Sequence, residues 1–168
     1  MQNLLIREAR VEDTEGIVGI LNPIIETGLY TVLDTPFTVE AERNFIRTFP
    51  ERGIFLVAVR ESDQRIFGFQ NMEPFASYTH AFDHVGVVGT YVDLEARRQG
   101  ISKRLFEAMF AAAVHKQYEK IFTFIRADNS AALSTYLRHG FRIIGTAAKQ
   151  AKINGRYVDE ILVEKFLE

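Results

Sequence analysis

The segment Tyr91-Val92-Asp93-Leu94-Glu95-Ala96-Arg97-Arg98-Gln99-Gly100-Ile101-Ser102-Lys103-Arg104-Leu105 runs from an extended stretch, through a basic turn, into an amphipathic helix. A strand that hands over directly to a helix sets the helix's unbonded N–H groups and its positive end beside the strand's last residues. Gly100, lacking a β-carbon, lets the backbone come close to a ligand. Arg97, Arg98, Lys103 and Arg104 gather positive charge around the same turn. Such a turn is a site for phosphate.

A second segment follows: Asn129-Ser130-Ala131-Ala132-Leu133-Ser134-Thr135-Tyr136-Leu137-Arg138-His139-Gly140-Phe141. It reads as a helix from Asn129 to His139, with Asn129 as N-cap and Gly140 as a left-handed C-cap. Tyr136 lies seven residues after Asn129, two helical turns on, so both fall on one side.

The rest of the chain reads as alternating elements of a single domain spanning residues 1–168. Leu4 to Ala9 is a short strand. Asp13 N-caps a helix whose apolar face carries Ile17, Ile20, Leu21, Ile24 and Ile25. Residues 27 to 38 form a loop, and a second helix begins near Thr38, carries Ala41, Phe45 and Phe49 inward, and ends at Pro50. Ile54 to Val59 and Arg65 to Asn71 are antiparallel strands, and Asp83 to Val92 is a longer one. Gly86 and Gly89 within it suggest a bulge or a close approach of another backbone. A helix from Gln99 to Gln117 carries Ile101, Leu105, Ala108, Met109 and Ala112, and Lys120 to Arg126 is a strand. Phe141 to Lys152 and Arg156 to Phe166 flank Asn154-Gly155, a dipeptide suited to a type I′ hairpin turn. The order is that of a mixed sheet with helices on its faces, α/β or α+β in class.

Composition removes several chemistries. No cysteine is present, so disulfides, thiolate metal sites and an acyl-cysteine intermediate are excluded. A formal charge of −2 gives no general attraction to nucleic acid or anionic membrane. No apolar run is long enough to span a bilayer, and a cytoplasmic protein is the expectation. Of the histidines, His80 and His84 share a spacing that faces one side of an extended segment, but no third ligand is evident, and no metal site is expected.

Arg97-x-x-Gly100-x-Ser102, followed by Asn129-x-x-Ala132-x-x-x-Tyr136-x-x-x-Gly140-Phe141, resembles the acetyl-coenzyme A core of the GNAT superfamily of N-acetyltransferases. Ser102 departs from the family's glycine or alanine. Ile6-Arg7-Glu8-Ala9, Asp13, Asn22, Thr27, Pro36 and Thr38, with Gly155-Arg156-Tyr157-Val158-Asp159, look like the phosphinothricin acetyltransferase-like branch. The resemblance implies a mostly antiparallel sheet of six to seven strands with helices on both faces. It implies acetyl-coenzyme A as co-substrate, held by Thr90, Tyr91 and Val92 through the backbone, by the turn Arg97, Arg98, Gln99, Gly100, Ile101, Ser102 and Lys103, and by Asn129 and Tyr136. Tyr136 is the implied catalytic residue, its phenol serving the departing sulfur. A backbone N–H of Val92 or a neighbour is the expected oxyanion donor.

The acceptor implied is a small, amino-acid-like primary amine attacking in a ternary complex. A protein N-terminus or lysine is the alternative, and a non-catalytic acyl-coenzyme A-binding sensor is the rival of another class. A homodimer is compatible with the resemblance. One departure bears on mechanism. Val87 stands where the branch carries a glutamate, so the amine's proton must go elsewhere; Glu73, Asp83, His84 or a water chain are the candidates.

Overall fold

The computed structural model describes residues 3–168 of the chain. Seven strands, β1 (Leu4–Glu8), β2 (Ile54–Arg60), β3 (Ile66–Pro74), β4 (Val85–Val92), β5 (Lys120–Arg126), β6 (Arg142–Ile153) and β7 (Arg156–Phe166), form one sheet in the order β1-β2-β3-β4-β5-β7-β6. Every pairing is antiparallel except β4 with β5. Four helices complete the fold: α1 (Thr14–Thr27), α2 (Val39–Arg47), α3 (Ile101–His115) and α4 (Ser130–Arg138).

Alternation along the strands divides the core in two. Leu56, Ala58, Met72, Val88, Ile121 and Val163 meet α3 and α4 on one face. Phe55, Val57, Val59 and Phe69 meet α1 and α2 on the other. Phe106 of α3 is fully buried and wedges Tyr136 and Phe141 edge-on at 5.1 and 6.0 Å between ring centroids. Burying a side chain of that size contributes about 2–3 kcal/mol. Those contacts fix where α4 carries Tyr136.

Several local expectations are revised. Asp13 stands at the N-cap position of α1, but its carboxylate makes no cap bond to that helix. It takes both nitrogens of Arg7, at 2.7 and 2.8 Å, and the Arg10 N–H. Ala41 is exposed, and the inward stripe of α2 is Glu42, Phe45 and Ile46, with Phe49 packing just past the helix end, which comes at Arg47 rather than Pro50. No register shift interrupts β4 against β3, and what crowds Gly86 is a side chain rather than another backbone: a β-carbon there would lie 2.5 Å from Met72 Sδ. The one bulge in this half of the sheet lies between Ala58 and Val59 of β2. Helix α3 starts at Ile101, two residues late, because Gly100 is left-handed at φ +77°. The Asn154-Gly155 turn has φ of +49° and +77°, as a type I′ turn requires.

Candidate active site

Strands β4 and β5 start side by side and then part. Their pairing covers only Val85, Gly86 and Val87 against Lys120, Ile121 and Phe122, although both strands run on. Just past the last pair, the Thr123 hydroxyl donates to the Val88 carbonyl at 2.7 Å, and beyond that a wedge opens. Phe75 N–H bonds the Val85 carbonyl, and Asp93 N–H donates to the Phe67 carbonyl, so odd-numbered residues of β4 aim their amides at β3. Alternation then turns the amides of Thr90 and Val92 into the wedge. Tyr91 directs its amide to β3, and its ring stacks on Phe69 at 4.8 Å on the α1–α2 face.

The wedge also receives Tyr136. Its hydroxyl lies 2.9 Å from Thr90 Oγ1, a pair in which either oxygen can donate, and Thr90 Oγ1 also accepts a bond of 2.8 Å from Gln70 Nε2. The tyrosine is only 6% exposed, and burial pushes its pKa well above the ordinary phenol value. It is therefore a proton donor at every physiological pH.

At the wedge mouth stands the basic turn. Arg98 and Gly100 both have positive φ, while Gln99 between them does not. This alternation of hand turns successive N–H groups toward one concave side, the geometry of an anion nest, at the first turn of α3. No atom lies within 4 Å of the place a Gly100 β-carbon would occupy, so the turn faces open space. Among the residues expected here, Arg98 and Gln99 are exposed, and Lys103 reaches Glu107 at 3.9 Å. Ser102 is half-buried, and the Ile101 side chain belongs to the core. Arg97 lies under the Tyr30 ring, 4.0 Å from its centroid.

Tyr30 belongs to the α1–α2 loop, which the sequence left without a role. Arg126 holds that loop through the Gly28 and Thr31 carbonyls, at 2.8 and 3.0 Å, and Asn129 reaches the Tyr30 carbonyl at 3.3 Å. Asn129 also caps α4 by accepting the Ala132 N–H. Thus the turns after β4 and β5 both grip one loop, which bridges the open ends of the two strands. The signal for it was faint: Arg126 at the end of the strand, which the structure shows to be buried.

On the α1–α2 face the registers lay out a floor in rows. Glu73, Val87, Phe122 and Glu164 form one row; Asn71, Gly89, Phe124 and Leu162 the next; Phe69, Tyr91, Arg126 and Glu160 the third. Glu73 is therefore the cross-strand partner of Val87, on the same face, with the side-chain roots about 5 Å apart. Partial desolvation raises its pKa above the usual carboxylate range although it is exposed. His84 and Asp83 lie at the closed end of the β4–β5 pair, where His84 is exposed and Asp83 faces His80 at 3.0 Å and Arg52 at 4.0 Å. Neither reaches the wedge. Among the described residues no three His, Cys, Asp or Glu side chains converge on a metal position, and no helix is long and apolar enough to cross a membrane.

The sequence profile described as the acetyltransferase (GNAT) family matches residues 24–141. A phosphinothricin N-acetyltransferase of Streptomyces coelicolor is 26% identical over 162 residues, covering 95% of this chain and 94% of the relative. The crystal structure of a ribosomal-protein-alanine N-acetyltransferase from Brucella melitensis superposes with a TM-score of 0.89 at 26% identity, covering 97% and 99% of the two chains. A GNAT superfamily phosphinothricin acetyltransferase from Sinorhizobium meliloti, solved in complex with AcCoA, gives a TM-score of 0.89 at 18% identity, over 99% of this chain and 89% of its own.

Proposed function

The chain belongs to the acetyltransferase (GNAT) family of acetyl-coenzyme A-dependent N-acetyltransferases, and we propose that it acetylates the primary amine of a small molecule by direct attack in a ternary complex. The wedge carries this reading. Thr90 and Val92 offer unpaired backbone groups in a cleft that ends at an anion nest, which suits a long amide-bearing arm terminated by a pyrophosphate. Acetyl-coenzyme A supplies an activated acyl group on a sulfur able to leave as thiolate. The Sinorhizobium structure, with AcCoA bound, has the same fold.

Each residue then has a task. The nest at Arg98–Gly100 and the first turn of α3 hold phosphate. The Thr90 and Val92 N–H groups are the donors available to the thioester carbonyl oxygen as it gains charge. Gln70 Nε2 donates to Thr90, leaving the Thr90 hydrogen free to bond Tyr136 Oη. The phenol proton is then available to the departing sulfur. Glu73, one strand over from Val87, accepts the amine's proton, directly or through a water.

A panel of primary amines, including phosphinothricin and amino acids, tests the reading by thiol release from acetyl-coenzyme A. Turnover that falls roughly 10²-fold in kcat for Glu73→Gln, without loss of acetyl-coenzyme A affinity, supports it. Tight acetyl-coenzyme A binding with no amine accepted would reduce the chain to a binder. Peptide N-termini belong in the same panel, since the Brucella structure of equal likeness carries a ribosomal-protein-alanine name.

A further inference from the structure

Five aromatic rings belong to neither of the two cores. Tyr78 meets Phe82 at 6.4 Å between centroids, Phe82 meets Phe75 at 5.1 Å, Phe75 meets Phe122 at 6.1 Å and Phe122 meets Phe124 at 4.9 Å, each pair edge-on. They form one strip that crosses from the β3–β4 connection to β5. It lies on the α1–α2 face, where no residue of β5 joins the core beneath those helices. Tyr78 is 83% exposed, and Phe75 and Phe124 are each 41% exposed.

The other exposed rings of the protein are each covered by a cation. Arg97 lies over Tyr30, Lys149 and Lys152 over Tyr157, and Lys120 and Arg142 over Phe166. Among the described residues no lysine or arginine lies over a ring of the strip. An uncovered ring keeps its apolar surface free for a ligand, and its face also attracts an approaching ammonium.

The strip runs directly into the proposed acceptor site. Phe75 N–H bonds the Val85 carbonyl, so Phe75 continues the β3–β4 register. It therefore shares a face with Glu73, two residues back and about 7 Å away. Phe122 stands in the same row as Glu73 and Val87, and Phe124 in the next row, at the opening of the wedge. With three rings this exposed, the strip offers on the order of 400 Å² of apolar surface. That is about half of the ~800 Å² that each partner gives to a stable protein interface, and it suits a small ligand carrying one ring.

Resting on the acetyl-transfer reading above, we propose that the acceptor is an arylalkyl amine, its nitrogen beside Glu73 at the wedge and its ring packed on Phe75 and Phe122. The neutral nitrogen attacks the thioester carbonyl and loses one proton to Glu73. The amide bond forms as the carbon–sulfur bond breaks, and the departing sulfur takes the phenol proton of Tyr136. The acceptor's ring takes no part in these steps. It adds binding in proportion to the apolar area it covers, so its effect belongs in KM.

The test compares kcat/KM within two pairs of acceptors, phenethylamine against ethylamine and L-phenylalanine against L-alanine, by thiol release from acetyl-coenzyme A. In the wild type the aromatic member of at least one pair should exceed its partner by roughly 10-fold or more, mainly through KM. Which pair does so tells whether the ring arrives on a free amine or on an amino acid. Phe75→Ala should cut that preference roughly 3- to 10-fold, the scale of one lost ring contact, with acetyl-coenzyme A affinity retained. A thermal melt reports whether the variant folds, and the wild-type comparison stands independently of it. Sedimentation of both proteins checks a second copy of the chain as the rival occupant of the strip. No preference for the aromatic member of either pair, an unaltered preference in folded Phe75→Ala, or a dimer that Phe75→Ala dissolves would overturn the proposal while leaving acetyl transfer intact. Failure of every amine, with acetyl-coenzyme A still bound, would remove both.

Discussion

In the proposed reaction Tyr136 and Glu73 divide the proton traffic, because burial moves both pKa values in the same direction with opposite consequences. A buried phenol held above its ordinary range is always protonated, so it contributes no inflection to a pH–rate profile. A carboxylate pushed up by desolvation is a base only above that raised value. The profile of kcat/KM should therefore rise through an inflection above the ordinary glutamate range, and Glu73→Gln should abolish that inflection, leaving only the titration of the acceptor amine. An inflection that survives the substitution would exclude Glu73 as base. Tyr136→Phe should lower kcat by roughly 10²-fold with acetyl-coenzyme A affinity nearly unchanged, since a proton needed only in the transition state appears in kcat. Thr90→Val should show a smaller loss of the same kind, because it removes the partner that orients the phenol.

Among the elements, the start of α3 carries most of the proposed cofactor binding for its length. Gly100 must be left-handed there, and an alanine would strain the turn by about 1 kcal/mol. The strain falls on the nest that points N–H groups outward, so acetyl-coenzyme A affinity should drop at least 10-fold in Gly100→Ala, read by calorimetry beside a thermal melt. A folded variant with wild-type affinity would dissociate the turn from phosphate. The N-terminal end of α1 depends on a different device. Arg7 and Asp13 form a bidentate pair with the aspartate 7% exposed, and burial opposes an Asp13 pKa that its hydrogen bonds with Arg7 and the Arg10 N–H pull below the usual range. A depressed carboxylate contributes stability that is present above its unfolded pKa and lost as pH falls through the folded one. Asp13→Asn should therefore cost about 2–4 kcal/mol at pH 7, much of it from leaving Arg7 unpaired, and the deficit should shrink in urea titrations carried out below pH 4.

For the molecule as a whole, buried carboxylates without a partner are places where stability is given up. Glu42 and Glu160 have pKa values raised by burial, so their favourable contribution is complete below the unfolded carboxylate range and is lost as pH rises through the raised folded values. Removing the charges should stabilise the fold increasingly with pH. The double variant Glu42→Gln, Glu160→Gln should melt higher than the wild type at pH 7.5, with the difference closing near pH 4. A constant difference across that range would mean that the two side chains act by packing alone.

Local features were legible in the sequence because they depend on neighbours in the chain. The Asn154-Gly155 hairpin, the Gly140 and Asn129 caps and the apolar stripes of α1 and α3 follow from φ preferences and helical period, and the basic turn followed from composition. Element order was legible for the same reason, and resemblance supplied the strand number and topology. The cleft was not legible. That Glu73 stands opposite Val87 is a matter of β3–β4 register, and that Glu42 rather than Ala41 faces inward depends on how α2 rotates against the sheet. The parting of β4 from β5 leaves no trace in either strand alone. Arg126 gripping Gly28 and Thr31 joins residues nearly a hundred positions apart. Short-range preferences are written into adjacent residues, whereas which charges find a partner and which are left without one is settled only when distant strands are brought side by side.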